Sequence, residues 1–281
     1  MQFKKITIIG VGLIGGSIGL NIKKRHPRTE IVGVTAHSKT LRAALRCGAV
    51  DRGTLDAKES VVGADLIIIA TPVDRILKTL RKIMPKVKRG CVITDVGSVK
   101  GSIVGDAERL AGNKASFIGS HPMAGSEKRG IDEAKSGLFK GTPCIVTKTS
   151  RSDREALKKV RDFWKDLGSD TYVLSPEEHD EHISKVSHLV HIAAATLCLT
   201  TDTSSLKFAS SGFRDTTRIA SSDSKLWIPI VLSNRLNVIK DINRYIAELG
   251  QIRSIIASND GTRLRKKLLK AKAIRDNFEV T

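Results

Sequence analysis

Residues 3–20, Phe3-Lys-Lys-Ile-Thr-Ile-Ile-Gly-Val-Gly-Leu-Ile-Gly-Gly-Ser-Ile-Gly-Leu20, decide the fold of the N-terminal half. The β-branched run Ile6-Thr-Ile-Ile9 predicts a buried strand, and three glycines at the spacing G-x-G-x-x-G lead into an apolar helical pattern. Gly10 permits a tight turn, Gly12 lets backbone N–H groups approach a pyrophosphate, and Gly15 allows close packing of the helix on the strand. This order of strand, glycine loop and helix predicts a dinucleotide-binding element.

The end of the second predicted strand bears on the choice of cofactor. The run Glu30–Thr35 predicts this strand, and an acidic residue usually ends it and binds the ribose 2′-hydroxyl. Here Thr35 holds that position, and His37, Ser38 and Arg42 follow. Since no carboxylate would repel it, a 2′-phosphate would be received by hydroxyls, an imidazole and cations. The pattern therefore favours NADP, with NAD held by other contacts as the alternative.

An α/β alternation continues to residue 174. The nearly continuous apolar run Gly63–Ala70 is typical of a parallel sheet that is covered on both faces. It ends at Thr71 and Pro72, in a loop at the carboxyl end of a strand, where ligands bind in open α/β sheets. Further strands are predicted at residues 91–95, 115–119, 143–147 and 171–173, and helices at 41–48, 74–84 and 154–167. The expected cofactor-binding residues are Gly10, Gly12, Leu13, Ile14, Gly15, Thr35, His37, Ser38, Thr71 and Pro72.

The pattern changes at residue 175, where helical periods replace strands. Ser175 at an N-cap and Pro176 at the first helical position, with acidic residues in the first turn, predict a helix start. Helices are then predicted at 176–204, 215–222, 223–249 and 250–276. Because this half is rich in apolar residues, we expect its helices to pack against a second copy of the chain, giving a homodimer. The predicted fold class is therefore α/β, with a Rossmann-type doubly wound sheet (residues 1–174) followed by an all-helical dimerisation domain (residues 175–281).

Composition limits the classes of protein to consider. The chain has 281 residues and is 40% hydrophobic, which is enough for two domains of roughly 100–200 residues each. No apolar run approaches the ~20 residues that span a bilayer, so we expect no membrane segment. The four cysteines lack C-x-x-C spacing, which argues against a disulfide framework and a metal cluster. We therefore expect a cytoplasmic protein with reduced thiols.

The formal net charge of +19 is the unusual feature of the composition. A nucleic-acid-binding surface and the steering of anionic small molecules are two interpretations of such a charge. The basic residues are spread widely, and no aromatic residues interleave with them to stack on bases. We therefore expect a solvated basic exterior and no nucleic-acid partner.

His121 is the first candidate for catalysis. It follows the predicted strand 115–119 directly and lies beside Pro122 in a predicted loop. A histidine there comes within reach of a bound nicotinamide and acts as an acid or base near neutral pH. A structural loop histidine is the alternative. Ser98, in the neighbouring strand-end loop, would hydrogen-bond the imidazole and fix its orientation.

The helical half adds further polar candidates. His188 and His191 share a helical face, but no third ligand at metal spacing follows, so we expect no metal site. Arg214, Asp215 and Arg218 cluster in one segment, and an arginine there would bind a carboxylate through two hydrogen bonds, with an interhelical salt bridge as the alternative. Trp227 would form either a pocket wall or part of the core.

Five motifs occur along the chain in a specific order: Gly10-Val-Gly-Leu-Ile-Gly-Gly-Ser17, Asp95-Val-Gly-Ser-Val-Lys100, Gly119-Ser-His-Pro-Met-Ala-Gly-Ser-Glu127, Ser187-His-Leu-Val-His191 and Gly212-Phe-Arg-Asp-Thr-Thr-Arg-Ile-Ala220. In these motifs the chain resembles the prephenate and arogenate dehydrogenases of tyrosine biosynthesis. The resemblance spans essentially the whole chain. The third and fifth motifs are far more specific than the glycine loop.

This resemblance implies oxidative decarboxylation of prephenate to 4-hydroxyphenylpyruvate with hydride transfer to NAD(P), or the equivalent reaction of arogenate. It also implies that His121 is the catalytic histidine, assisted by Ser98, and that Arg218 binds the substrate carboxylate. The substrate-binding residues that it implies are Ser98, His121, Ser126, Glu127, His188, His191, Ser211, Gly212, Asp215, Arg218 and Trp227.

Some alternatives remain open. The two substrates differ by a keto or an amino group, and the resemblance places His191 near that group, which favours the keto acid. Ser211 replaces a glycine that the family usually has, a departure that bears on the shape of the pocket at that turn. β-Hydroxyacid and imine reductases share the layout of domains, but they usually place a catalytic lysine in the helical domain, whereas the residues here indicate His121.

Overall fold

The structure is a computed structural model that describes residues 3–125 and 128–280. It divides into two compact units, Met1–Asn234 and Arg235–Thr281. This division falls within the helical half, so the helices before Asn234 belong to the same compact unit as the sheets. The domain boundary after residue 174 stays a prediction.

A parallel sheet forms the centre of the first unit. Within the described residues its strands are β1 (Lys5–Ile9), β2 (Glu30–Val34), β3 (Arg52–Thr54), β4 (Leu66–Ile69), β5 (Cys91–Asp95) and β6 (Ala115–Ile118). Their spatial order is β3-β2-β1-β4-β5-β6, and all neighbouring pairs are parallel. The order reverses between β1 and β4, and a crevice for a ligand forms at such a point, outside the carboxyl ends of the strands.

Helices cover both faces of this sheet. They are α1 (Leu13–Arg25), α2 (Ser38–Arg46), α3 (Ala57–Ser60), α4 (Val73–Ile83) and α5 (Val104–Ala111). Side chains alternate along β4, so that Ile68 joins a core cluster with Ile18 of α1. Its neighbour Ile69 joins a second cluster with Ile76 of α4. The expected Rossmann-type doubly wound sheet is confirmed.

A second, three-stranded sheet in the described residues was not predicted. It contains β7 (Ser120–Pro122), β8 (Pro143–Thr147) and β9 (Asp170–Leu174), with α6 (Arg154–Asp166) between β8 and β9. The strand β7 pairs antiparallel with β8, which pairs parallel with β9. The prediction of a loop at His121 is therefore wrong. Three residues are too few to show a strand pattern, and β7 is held by tertiary contacts, including a hydrogen bond of 2.9 Å from Trp164 Nε1 to Ser120 Oγ.

The helices of the first unit are shorter than predicted. After α7 (Pro176–Ile183), a π-helical turn at Ser184–His188 leads into α8 (Leu189–Leu199), so the single predicted helix 176–204 is wrong. Two further helices, α9 (Ser211–Thr217) and α10 (Ser224–Ser233), complete this part. The latter ends at Asn234, whose Nδ2 donates a hydrogen bond of 2.8 Å to the backbone oxygen of Asp180.

The second unit consists of two long helices, α11 (Arg235–Ala257) and α12 (Gly261–Val280), which pack on each other. The predicted helices 223–249 and 250–276 therefore have the wrong ends. The break between α11 and α12 contains Asn259 in the left-handed region, with φ of 50°. Within the described ranges, no helix combines the length and the apolar character that crossing a bilayer requires.

The packing of α1 on β1 leads to a stability prediction. A Cβ atom on Gly15 would collide with the backbone oxygen of Gly10, whereas a Cβ on Gly105 in α5 would meet no atom within 4 Å. We expect Gly15→Ala to lower the free energy of unfolding by about 2 kcal/mol, because overpacking forces the helix away from the strand. Gly105→Ala is the matched control and should be neutral or stabilising by up to about 1 kcal/mol. Urea unfolding followed by circular dichroism measures both, and equal midpoints would contradict this interpretation.

Candidate active site

The glycine loop places backbone, not side chains, at the end of β1. Gly10 has φ of 101°, and a Cβ there would collide with the backbone of Ala70 at the end of β4. Gly12 is the N-cap of α1, and a Cβ on it would meet no atom of the described residues within 4 Å. The first turn of α1 contains no acidic residue, and no side chain in the described part of the chain caps it. This end of α1 therefore presents backbone N–H groups and the positive end of the helix dipole to an anion.

The residues around this loop fit a dinucleotide. Leu13 and Ile14 are half-buried at the start of α1. Thr71, which follows β4, has a buried hydroxyl oxygen without a hydrogen-bond partner in the described residues, and Pro72 is the N-cap of α4. An orphaned polar atom at the sheet crevice is expected where a polar ligand completes the site.

The end of β2 is arranged differently from the expectation. Thr35 is buried, and its hydroxyl donates a hydrogen bond of 3.0 Å to the backbone oxygen of His37. That hydroxyl can therefore only accept a further hydrogen bond, and it cannot donate one to a phosphate. His37 and Ser38 are exposed at the start of α2, which has no acid in its first turn.

His121 lies on β7 and contacts a histidine that follows 58 positions later in the chain. Its Nδ1 is 2.9 Å from Nε2 of His179, and it is only 8% exposed. The predicted hydrogen bond from Ser98 to the His121 imidazole is not formed among residues 3–125 and 128–280, where Ser98 is half-buried. The sequence pattern did not indicate His179 as the partner, because the contact depends on how α7 packs against β8 and β9.

Asp180 links this histidine pair to the loop that follows β5. Its Oδ1 lies 2.8 Å from Nδ1 of His179. The same carboxylate accepts backbone hydrogen bonds from Lys100 at 2.7 Å and from Gly101 at 2.8 Å. The acid thus ties α7 to the loop that carries Ser98.

A buried ion pair lies beside these residues. The Lys100 ammonium binds the carboxylate of Asp95, and both side chains are completely buried. Burial raises the pKa of Asp95, while the Lys100 charge opposes that shift. The pair is isolated from water, so removing one partner would leave an uncompensated charge at a cost of about 3–5 kcal/mol.

The same burial keeps His121 neutral. Desolvation lowers the pKa of His121 well below its ordinary value, and the Lys100 charge acts in the same direction. Burial also lowers the pKa of His179, to about 2, and that of His188, to about 4. A neutral imidazole has one nitrogen with a free lone pair, which is what a general base requires.

Trp227 lies between two of the predicted pocket histidines. Its ring stacks on His191 with centroids 3.6 Å apart, and it meets the edge of His188 at 6.2 Å. Nε2 of His188 and Nδ1 of His191 are buried without a hydrogen-bond partner in the described part of the chain. The tryptophan also packs against the second core cluster, and its role as a pocket wall stays a prediction. Nδ1 of His191 is left for a ligand, whereas the His188 ring also lies within reach of the Ser98 backbone.

The remaining predicted residues lie around α9. Ser211 and Gly212 begin this helix, and Asp215 and Arg218 are exposed at its end. Both α9 and the 3₁₀ turn at Arg218–Ser221 pack against α8, the helix that carries His191. Ser126 and Glu127 lie outside the described residues.

Two family models match the chain. That of the prephenate dehydrogenase nucleotide-binding domain matches residues 18–173, and that of the prephenate dehydrogenase dimerization domain matches residues 175–270.

Individual relatives agree with these matches. Prephenate dehydrogenase of Bacillus subtilis (strain 168) is 37% identical over 280 residues, covering 97% of this chain and 76% of that protein. The crystal structure of prephenate dehydrogenase from A. aeolicus in complex with hydroxyphenyl propionate and NAD+ has a TM-score of 0.92 and 30% identity, with 99% of both chains covered. The structure of Synechocystis arogenate dehydrogenase has a TM-score of 0.83 and 31% identity, covering 98% of this chain and 99% of that one. The chain therefore belongs to the prephenate dehydrogenase family.

Proposed function

We propose that the chain catalyses the oxidative decarboxylation of prephenate to 4-hydroxyphenylpyruvate, with hydride transfer to a nicotinamide dinucleotide. The observation that carries the proposal is the buried, neutral His121, which lies within the unit that also holds the dinucleotide loop. Membership of the prephenate dehydrogenase family supports the reaction and the substrate class.

His121 is the general base of this reaction. No hydrogen bond joins its Nε2 to another group in residues 3–125 and 128–280, so that nitrogen can accept the proton of the substrate 4-hydroxyl. The bound nicotinamide supplies the hydride acceptor. As the proton moves to His121, hydride departs from the same ring carbon and the ring carboxylate is lost as CO₂. The His121 imidazolium then returns the proton to the phenolate oxygen, which gives the 4-hydroxyl of the product. Aromatisation of the ring makes the step effectively irreversible.

Substrate recognition is assigned to the residues around α8. Arg218, exposed at the end of α9, binds a substrate carboxylate, and Asp215 lies one turn before it. The keto side chain of prephenate is assigned to the pocket beside His191, whose Nδ1 is buried and unpaired in the described residues, with the His188 ring as its neighbour. Both rings are kept neutral by burial, and a neutral ring does not repel an ammonium group, so arogenate remains the alternative substrate. The Synechocystis relative is an arogenate dehydrogenase.

The proposed cofactor is NADP, with NAD as the alternative. The end of β2 has no acidic side chain, and Ser38, Lys39 and Arg42 lie at the start of α2. The A. aeolicus relative was crystallised with NAD+, so the preference of this chain has to be measured.

The proposed assembly is a homodimer. The dimerization family model matches residues 175–270, and apolar side chains such as Leu236, Ile246 and Leu268 are exposed on α11 and α12. A second copy of the chain covering these side chains would remove them from water.

The first experiment measures turnover for each combination of substrate (prephenate or arogenate) and cofactor (NADP or NAD). The readout is the absorbance of the reduced nicotinamide. We expect the highest kcat/KM with prephenate and NADP. Turnover only with arogenate would show that arogenate, and not prephenate, is the substrate. A folded, dimeric protein that turns over neither substrate would contradict the proposed function.

The role of His121 is tested by His121→Asn. We expect kcat to fall by about 10³-fold, because an amide cannot accept the proton, while the Kd for the cofactor stays within about twofold. The exposed His182 supplies the matched control, since His182→Asn removes a histidine from α7 without touching the base. Wild-type turnover in His121→Asn would show that another group takes the proton.

The cofactor preference is tested by Thr35→Asp. A carboxylate at this position repels a 2′-phosphate and binds a 2′-hydroxyl, so we expect the ratio of kcat/KM for NADP to that for NAD to fall by about tenfold or more. Thr35→Asn is the matched control, because it removes the same hydroxyl without adding charge. If both variants keep the wild-type ratio, β2 does not select the cofactor.

A further inference from the structure

His121, His179 and Asp180 form a chain of hydrogen bonds in which each donor points toward the carboxylate. Nδ1 of His121 lies 2.9 Å from Nε2 of His179, and Nδ1 of His179 lies 2.8 Å from Oδ1 of Asp180. We propose that Asp180 and His179 hold His121 in the tautomer that acts as a base, with His179 as a positioning residue. This inference rests on the proposed function, whose base is His121.

The direction of the chain follows from what surrounds Asp180. Its two oxygens accept backbone N–H groups from Lys100 and Gly101, at 2.7 and 2.8 Å. Burial raises the pKa of Asp180, but the two N–H donors and the Lys100 charge oppose that shift and stabilise the carboxylate form. An ionised carboxylate has only lone pairs to offer. Nδ1 of His179 must therefore carry the proton and donate it to Asp180.

The tautomer of His121 follows from that of His179. A neutral His179 that is protonated on Nδ1 has a bare lone pair on Nε2, which can only accept. Nδ1 of His121, at 2.9 Å, therefore donates to it. The remaining nitrogen of His121, Nε2, then has no proton and is available to the substrate. The reverse tautomer would present an N–H group and could not act as a base.

The same chain stabilises the product of proton transfer. When the substrate O–H bond breaks, a new N–H bond forms at Nε2 of His121, and the electron pair of the O–H bond becomes part of the product C–O bond as hydride leaves the ring carbon. The resulting imidazolium donates its Nδ1–H to His179 more strongly. The Asp180 carboxylate stabilises this imidazolium through His179 without taking up the proton, as a buried acid does for a histidine that it orients.

Other charged or titratable groups also face these rings. His121 faces Lys100 and His188, and its backbone is hydrogen-bonded to the thiol of Cys144 on β8. His179 faces Lys100, His182 and His188. The Lys100 charge is balanced by Asp95, with which it forms a fully buried ion pair. Asp180 is the acid that directly hydrogen-bonds a ring of the pair.

The first arm of the test measures tautomers and needs no substrate. In wild-type protein with ¹⁵N-labelled histidine rings, long-range ¹H–¹⁵N spectra should show His121 protonated on Nδ1 and bare on Nε2. In His179→Leu the acceptor is lost, and we expect the proton of His121 to move to Nε2. In His179→Gln the side-chain oxygen can still accept, so the wild-type tautomer should persist. A wild-type His121 with its proton on Nε2, or an unchanged tautomer in His179→Leu, would overturn the inference.

The second arm measures kinetics with prephenate. We expect His179→Leu to lower kcat by about 10³-fold and His179→Gln by about tenfold, with KM changed less than about threefold in both. The conservative glutamine therefore rescues most of the loss. His182→Gln, on the exposed side of α7, is the matched control and should keep wild-type kcat. Equal losses in the leucine and glutamine variants would contradict a positioning role.

The pH profile separates positioning from a merely structural effect. In wild type the acidic limb of kcat/KM should lie below pH 6.5, because burial lowers the pKa of His121 and activity is lost only where that ring becomes protonated. In His179→Leu the imidazolium loses its acceptor, so the limb should move to lower pH. If water enters a loosened pocket instead, the limb will move up toward pH 6.5, and that result would overturn the inference.

The two arms also distinguish this inference from the proposed function. A wild-type protein that turns over neither prephenate nor arogenate contradicts the proposed function, while the tautomer spectra still decide the direction of the hydrogen-bond chain. If His179→Leu fails to fold, His179→Gln decides: loss of the Nδ1 proton of His121 in that variant overturns the inference, and its retention with reduced kcat supports it.

Discussion

The Asp180 carboxylate is the interaction on which the candidate site depends. It accepts the backbone N–H groups of Lys100 and Gly101 and the ring N–H of His179, so one acid joins the loop after β5 to α7. Without it, the buried N–H of Lys100 would have no acceptor, at a cost of about 1–3 kcal/mol. The strands set the position of His121, but this carboxylate determines which helix meets it and in which orientation.

Burial of charge around this acid has an electrostatic consequence. Lys100 and Asp95 form an ion pair that is completely removed from water, and such a pair contributes little net stability. Its cation lies close enough to lower the pKa values of His121 and His179 further than desolvation alone. The ion pair therefore helps to keep both rings neutral, and a neutral ring is the one that can accept a proton.

Local features of the fold could be predicted from the sequence, whereas tertiary ones could not. The glycine loop was predictable because Gly10 and Gly15 meet atoms of adjacent segments whose patterns are themselves clear. His121 was found through its motif, but its contact with His179 joins residues 58 positions apart and depends on the packing of α7. The helix end at Asn234 was missed for the same reason, since a hydrogen bond to Asp180 helps to fix it there.

Substrate binding would change the electrostatics around the base. His121 is buried, whereas Arg218, the proposed carboxylate-binding residue, is exposed. In the free enzyme, desolvation and the Lys100 charge make His121 a weak base. The proposed substrate carries two carboxylates, and negative charge near an imidazole raises its pKa, more so where the surroundings are poor in water. Binding would therefore strengthen the base at the moment when its proton acceptor is needed. Without substrate the ring stays neutral, because desolvation and the nearby Lys100 charge lower its pKa, so the base remains unprotonated over the physiological pH range.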